Sequence, residues 1–429
     1  MNKEILRLAL PNIISNISVP LLSTVDTALM GRLSELHIGA VGVGAMIFNF
    51  IYWNFGFLRM GTTGITAQAY GQDDTSAIVT TLGRAMLVVL VVAIGILLLQ
   101  YPLGQWSFAL MNISAEQQAL VSRYFYIRVW AAPATLGLYA LMGWFFGMQN
   151  AIYPLILTIA INLVNIILSF VLVHQLQMDV AGVAYGTLGA QYFGLGLGLF
   201  LLRWKYRPLF RHLQGSAILK WKALQHFLKL NADIFLRTFC LTLAFGFFYA
   251  QSAAGGELVL AANVILLQFL NWMSYGVDGF AYASESLVGK YAGARQDYNT
   301  RRAIRLSFGW GMMLAIVFSV VYGLLGSSLL QIYTDQSDVI AATQPYLFWM
   351  FLFPILSTPC YLWDGVFIGL TATQSMRNAM LLAFFAYVVA WYFGQHWGNH
   401  GLWAALLIFM IFRGAFQGLL YLQKGTALD

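Results

Sequence analysis

Asp26 stands in the stretch STVDTALMGRL, and from Leu8 to Met30 no other residue carries a formal charge. An ionisable group at mid-bilayer costs about 2.5–3.5 kcal/mol on insertion scales, so it persists where it faces a bundle interior or a watery cavity. Low dielectric favours the protonated form of a carboxylate, and a neighbouring cation favours the ionised form. A lone acid so placed is suited to trade a proton for a cation. Asp278, Tyr282 and Glu285 follow at helical spacing and share one helix face, and Asp364 lies in CYLWDGVFIGL beside Gly365. These form a second, carboxylate-rich candidate site. The plainer reading is that all four acids are buried, paired structural groups.

INLVNIILSF carries Asn162, Asn165 and Ser169 at spacings that share a helix face, and Thr187 in VAYGTLGAQY belongs with them. Their amides and hydroxyls suit a cation or a carboxylate. They equally suit polar contacts between helices, which average about 0.6 kcal/mol in membrane bundles. Pro11 and Pro20 permit a bend in the segment that carries Asp26, since each removes a backbone hydrogen bond. Arg59, Arg237 and Arg413 also lie in apolar surroundings; for Arg237 and Arg413, close to segment ends, pairing or snorkelling is the favoured reading. His396 and His400 form H-x-x-x-H without a following glutamate, which does not make a metalloprotease site. No G-x-x-x-x-G-K-[ST] loop occurs, so ATP is not expected as the energy source. Cys240 and Cys360 lie in apolar runs and read as small hydrophobic residues rather than a disulfide or metal pair.

The elements that must hold these groups are membrane spans. The chain has 429 residues, 60% hydrophobic and 9% charged, with mean hydropathy +0.72. A soluble core could not hide that much apolar surface. Continuous apolar runs such as AMLVVLVVAIGILLLQYPLG exclude a β-barrel, whose strands alternate. Twelve spans are expected, near 8–31, 38–60, 79–101, 121–146, 151–174, 181–203, 227–252, 258–288, 304–326, 341–368, 376–394 and 401–422. Arg203 to Lys222 is basic without an acid, and so is most of Gly289 to Arg305, which puts both connections and both termini in the cytoplasm. The net charge of +7 therefore reflects loop placement rather than nucleic-acid binding. No cleavable signal peptide is expected from MNKEILRLAL. Sliding the chain by 222 residues sets Glu35 on Glu257, Asn49 on Asn271, Gly71 on Gly293, Tyr139 on Tyr361 and Gly147 on Gly369. Six plus six spans, both halves entering from the cytoplasm, make a parallel repeat about an axis along the membrane normal. The expected divisions are 1–203, an amino-terminal six-helix lobe; 204–226, a basic cytoplasmic linker; and 227–429, a carboxy-terminal six-helix lobe.

Several motifs resemble one family. LLSTVDTALMGRL and FLRMGTTGITAQAYG in the first half, with DGFAYASESLVGKYAGAR, DGVFIGLTATQSMRNAM and GNHGLWAALLIFMIFRG in the second, are similar to the multidrug and toxic compound extrusion (MATE) family, in its DinF-like branch. The resemblance covers essentially the whole chain. It implies an all-α polytopic membrane protein of twelve helices in two pseudo-symmetric lobes around a V-shaped cavity, with alternating access and ion-driven export. It matches Asp26 to the family's first-helix aspartate, Asn165 to its fifth-helix asparagine, Thr187 to its sixth-helix threonine, and Pro11 to the proline where the first helix bends. Relatives often carry an aspartate where this chain has Ser169. That loss weakens a sodium site, since a hard cation prefers several charged oxygens.

The expected function is therefore efflux of amphipathic organic cations in exchange for protons, with no enzymatic activity and no cofactor beyond the coupling ion. Sodium coupling is the first alternative, either at Asp26, Asn165 and Thr187 or through the carboxy-terminal acids. A flippase for a lipid or lipid-linked substrate is the second. Membrane lipid and small organic cations are the expected partners, the bacterial inner membrane is the expected location, and nothing in the sequence demands more than a monomer.

Overall fold

The computed structural model describes the backbone of residues 1–30, 35–111, 114–212 and 215–425, and the side chains of these except 19–30, 35, 115, 212 and 424. The Asp26 and Pro20 side chains therefore lie outside the described residues. The order of helices is α1 (Asn2–Met30), α2 (Glu35–Asn54), α3 (Phe57–Gly71), α4 (Thr75–Leu98), α5 (Gln100–Leu110), α6 (Ala115–Arg128), α7 (Ala132–Gly147), α8 (Ile152–Phe170), α9 (Asp179–Tyr206), α10 (Gly215–Ile218), α11 (Trp221–Ala254), α12 (Glu257–Gly293), α13 (Asp297–Tyr333), α14 (Ser337–Thr343), α15 (Leu347–Gly369), α16 (Thr373–Gly394) and α17 (Asn399–Lys424). No strand occurs among the described residues. Among the described residues, ten segments are long and apolar enough to cross a bilayer. The other two expected spans lie on α1 and α9, of 29 and 28 residues. The chain is an all-α, multi-pass membrane protein.

The structure differs from the expected segments in two places. The second span breaks at Phe55 and Gly56 into α2 and α3, whereas its counterpart α12 runs unbroken for 37 residues. The stretch expected as a linker, 204–226, is largely helical. It holds the end of α9, a 3₁₀ turn from Arg207 to His212, α10, and the start of α11. Arg84 of α4 docks it, donating from Nη2 to the Ala217 carbonyl at 2.8 Å.

The chain divides into two compact units, one of Ile14–Leu228 and one of Met1–Ile13 with Lys229–Asp429. The sequence reading grouped residues 1–13 with the amino-terminal lobe. In the structure Ala9 and Ile13 pack on Gly279, and Glu4 meets Lys290 Nζ at 3.5 Å and the Tyr291 hydroxyl at 3.2 Å.

Inside each unit the apolar effect cannot drive helix against helix, because lipid is as apolar as leucine; close van der Waals contact and interhelical hydrogen bonds must do it. The contacts repeat. Gly143 of α7 packs on the Arg59 carbonyl, and Gly365 of α15 packs on the Ala281 carbonyl. Gly147 packs on the Thr63 carbonyl, and Gly369 on the Glu285 carbonyl. Each member of one pair lies 222 residues from its mate in the other. The helix limits recur at the same offset: 35–71 with 257–293, and 115–147 with 337–369. Capping fixes several starts. Asp74 accepts from the Ala77 amide at 2.9 Å, and Asn150 accepts from the Ile152 and Tyr153 amides at 3.2 Å while donating to the Tyr206 hydroxyl at 3.0 Å. In the carboxy-terminal unit Trp403 stacks edge-on against Phe248 and Phe353.

Candidate functional site

In the amino-terminal unit a polar ladder joins α1 to α8. Ser15 donates to the Thr158 hydroxyl at 2.9 Å, and Asn162 donates to the Ser18 hydroxyl at 3.2 Å. The partners lie 143 and 144 residues apart in sequence, so the two helices run parallel in constant register. One turn beyond Asn162, Asn165 donates from Nδ2 to the Thr187 hydroxyl of α9 at 3.0 Å, and Thr187 in turn donates to the Val183 carbonyl at 3.0 Å. Asn165 and Ser169 are buried. Gly186 lets α9 approach Ser169 so closely that a Cβ there would meet its hydroxyl. The structure thus brings Asn165, Ser169 and Thr187 into one buried group, while Asn162 turns to α1 instead. Just past Ser169 the chain leaves α-helical pitch for a π-turn, Val171–Gln175, a feature often found at functional sites and with no local signature in this sequence. Pro11 lies within α1, which continues helical through it.

Two arginines accompany this group in the same unit. The Arg59 guanidinium sits 5.9 Å from the Phe146 ring centroid. Arg128 donates to the Tyr124 hydroxyl and lies over the Phe48 ring at 5.1 Å. Arg128 was passed over in the sequence reading, although it falls inside the fourth expected span.

In the carboxy-terminal unit Asp364 is the hub. Its Oδ2 accepts from Arg237 of α11 and, at 2.6 Å, from Arg413 of α17; its Oδ1 accepts from Gln417 at 2.8 Å. All four residues are buried. One carboxylate thus ties together three helices, and Asp364 is saturated by guanidinium and amide donors. Asp278 and Tyr282 of α12 are half-buried and Glu285 is buried. Asp278 lies within electrostatic range of Tyr361 and Cys360, about one turn from Asp364.

Other polar contacts escaped the sequence reading. Asp233 accepts from Arg377 Nη1 at 2.5 Å and from Thr373 at 3.3 Å, joining α11 to the start of α16. Asn263 donates to Ser252 and Asn399, both at 2.7 Å, and accepts from Trp403 Nε1 at 2.8 Å. Asp233 lay in plain view as an acid inside an expected span. The Asn263 knot gave no signal, because its partners come from two other helices, α11 and α17. His400 accepts from Trp349 at 3.2 Å and stacks on Tyr346, which accounts for it structurally. Cys240 and Cys360 are buried free thiols.

Comparison with known proteins agrees with this architecture. The MatE family model matches residues 11–171 and again 234–394, once in each half of the chain. The chain is 37% identical to DNA damage-inducible protein F of Escherichia coli over 416 residues, 96% of this chain and 90% of that one. It is 26% identical to a probable multidrug resistance protein NorM of Bradyrhizobium diazoefficiens, over 98% and 92% of the two chains. A solved MATE structure in the bent conformation superposes with a TM-score of 0.90 at 17% identity, covering 99% of this chain and 96% of the other.

Proposed function

The chain belongs to the MatE family of transporters, and on that premise we propose that it is a proton-coupled antiporter that exports amphipathic organic cations by alternating access. The observation that carries this reading is the register of α1 on α8. Position 26 lies two turns past Ser18 on the same helix, toward the end of α8 that carries Asn165 and Ser169. α8 carries Asn162, Asn165 and Ser169 but no carboxylate. One acid with neutral hydrogen-bonding partners suits a proton better than a hard metal cation, which calls for several charged oxygens.

In the cycle, ionised Asp26 attracts the organic cation from the cytoplasm. After the protein opens outward, protonation of Asp26 removes that attraction and the cation leaves; the proton then leaves inward. By linkage the proton and the cation each weaken the other's binding. Sodium coupling through Asp364 is disfavoured by its two guanidinium partners, which occupy the carboxylate oxygens a cation would need. The location proposed is the bacterial inner membrane with both termini cytoplasmic, from the basic connections.

Ethidium movement in proteoliposomes tests this. A pH gradient alone should drive uptake, a sodium gradient should not, and Asp26→Asn should abolish uptake while leaving the thermal midpoint in place. Normal coupled transport by Asp26→Asn would overturn the mechanism.

A further inference from the structure

Arg128 has a peculiar setting. Its guanidinium lies 5.1 Å from the Phe48 centroid and 5.4 Å from the Tyr124 centroid, and it donates to the Tyr124 hydroxyl. No carboxylate among the described residues forms an ion pair with it, and its buried Nε has no hydrogen-bond partner of normal geometry there. Tyr52, one turn along α2 from Phe48, stacks on that ring at 5.6 Å. Its hydroxyl is buried, within electrostatic range of Arg128, and has no hydrogen bond of normal geometry among the described residues, although Thr135 stands beside it. Tyr139 of α7 completes the group. Tyr139 lies within electrostatic range of Arg59 and Arg128. The acids of this unit whose side chains are described, Asp73, Asp74, Glu116 and Asp179, all sit at helix ends or connections.

A half-buried guanidinium at membrane depth needs a partner, and π faces satisfy it only in part. An anion would satisfy it fully, through charge-assisted hydrogen bonds. The Tyr52 hydroxyl supplies a second donor. We propose that Arg128 and Tyr52 form a binding site for the carboxylate, or equivalent anionic group, of an amphipathic substrate. The transporter therefore takes zwitterions in preference to simple cations. This rests on the drug-export reading above and names the substrate class more closely.

The test is equilibrium binding without any gradient, in phosphatidylcholine nanodiscs, of norfloxacin and of its ethyl ester, which keeps the amine and lacks the carboxylate. Wild type should bind the acid about tenfold or more tighter than the ester, as a hydrogen bond to a charged group warrants. Arg128→Gln should bring that ratio near one, and Arg128→Lys should keep part of it. Tyr52→Phe, which removes only a buried hydroxyl, should lower it without loss of fold. Equal affinities for acid and ester in wild type, or an unchanged ratio in Arg128→Gln, would overturn the proposal while the drug-export reading stands. If wild type binds neither compound, the drug-export reading fails and this one falls with it. If added phosphatidylglycerol erases the preference in wild type, the anion site is upheld and its occupant is a lipid phosphate.

Discussion

Arg237 and Asp364 form a buried ion pair that joins α11 to α15, and Arg413 of α17 donates to the same carboxylate oxygen. The cluster therefore holds two positive charges against one negative at its centre. Asp364→Asn would leave both guanidiniums buried without their counter-charge, which should cost about 3–5 kcal/mol. The measurement is the thermal midpoint in detergent. A midpoint unchanged from wild type would mean that water reaches the cluster.

The same geometry bears on the coupling ion. If Asp364 held sodium, replacing choline chloride by sodium chloride at a concentration a hundredfold above its affinity would stabilise the protein by about 2.7 kcal/mol. No sodium-specific rise in midpoint is expected. A clear rise would move the coupling site into the carboxy-terminal unit and make Asp278 and Glu285 the next residues to change.

The Asn165–Thr187 hydrogen bond offers a test at the proposed coupling group. Thr187→Val keeps the shape and leaves the Asn165 amide without its acceptor, a loss of about 1–3 kcal/mol. Gradient-driven ethidium uptake should fall by about tenfold or more, the change that 1.4 kcal/mol makes to a rate. Thr187→Ser restores the hydroxyl and should restore most of the uptake. If Thr187→Val transports normally, the hydrogen bond is structural glue and nothing more.

Glycine contacts separate packing from helix propensity. A Cβ on Gly365 would strike the Ala281 carbonyl, whereas one on Gly246 would meet nothing within 4 Å. Gly365→Ala should destabilise by about 1–3 kcal/mol through overpacking. Gly246→Ala should gain up to about 1 kcal/mol, since alanine favours the helix. The difference between the two midpoints measures how tightly α12 and α15 meet.

The Asn263 knot predicts a loss without any charge. Asn263→Leu would orphan the Trp403 indole N–H and the Asn399 amide, at about 1–3 kcal/mol for each buried group left unpaired. Unchanged stability would require water in the knot.

Much of the architecture was legible in the chain itself. Long apolar runs set between basic connections named the spans, because a bilayer admits little else. The offset of 222 was visible in a handful of identities and returns in helix limits and in the paired glycine contacts at Gly143 and Gly365. Helical spacing groups Asn162, Asn165 and Ser169 on one face, because periodicity is a property of one helix. What periodicity cannot supply is the partner across the gap. Asn162 and Asn165 share their spacing logic, yet one bonds Ser18 of α1 and the other Thr187 of α9. Asp364 looked like its fellow carboxylates Asp278 and Glu285 in sequence, and only the approach of α11 and α17 gave it two arginines. Arg128 and the knot at Asn263 depend on side chains far apart in the chain, so only tertiary packing decided them. The sequence by itself determined what must be buried in lipid and how often it repeats. The tertiary structure decided which buried charges meet, since each pairing depends on the angle and depth at which separate helices pack.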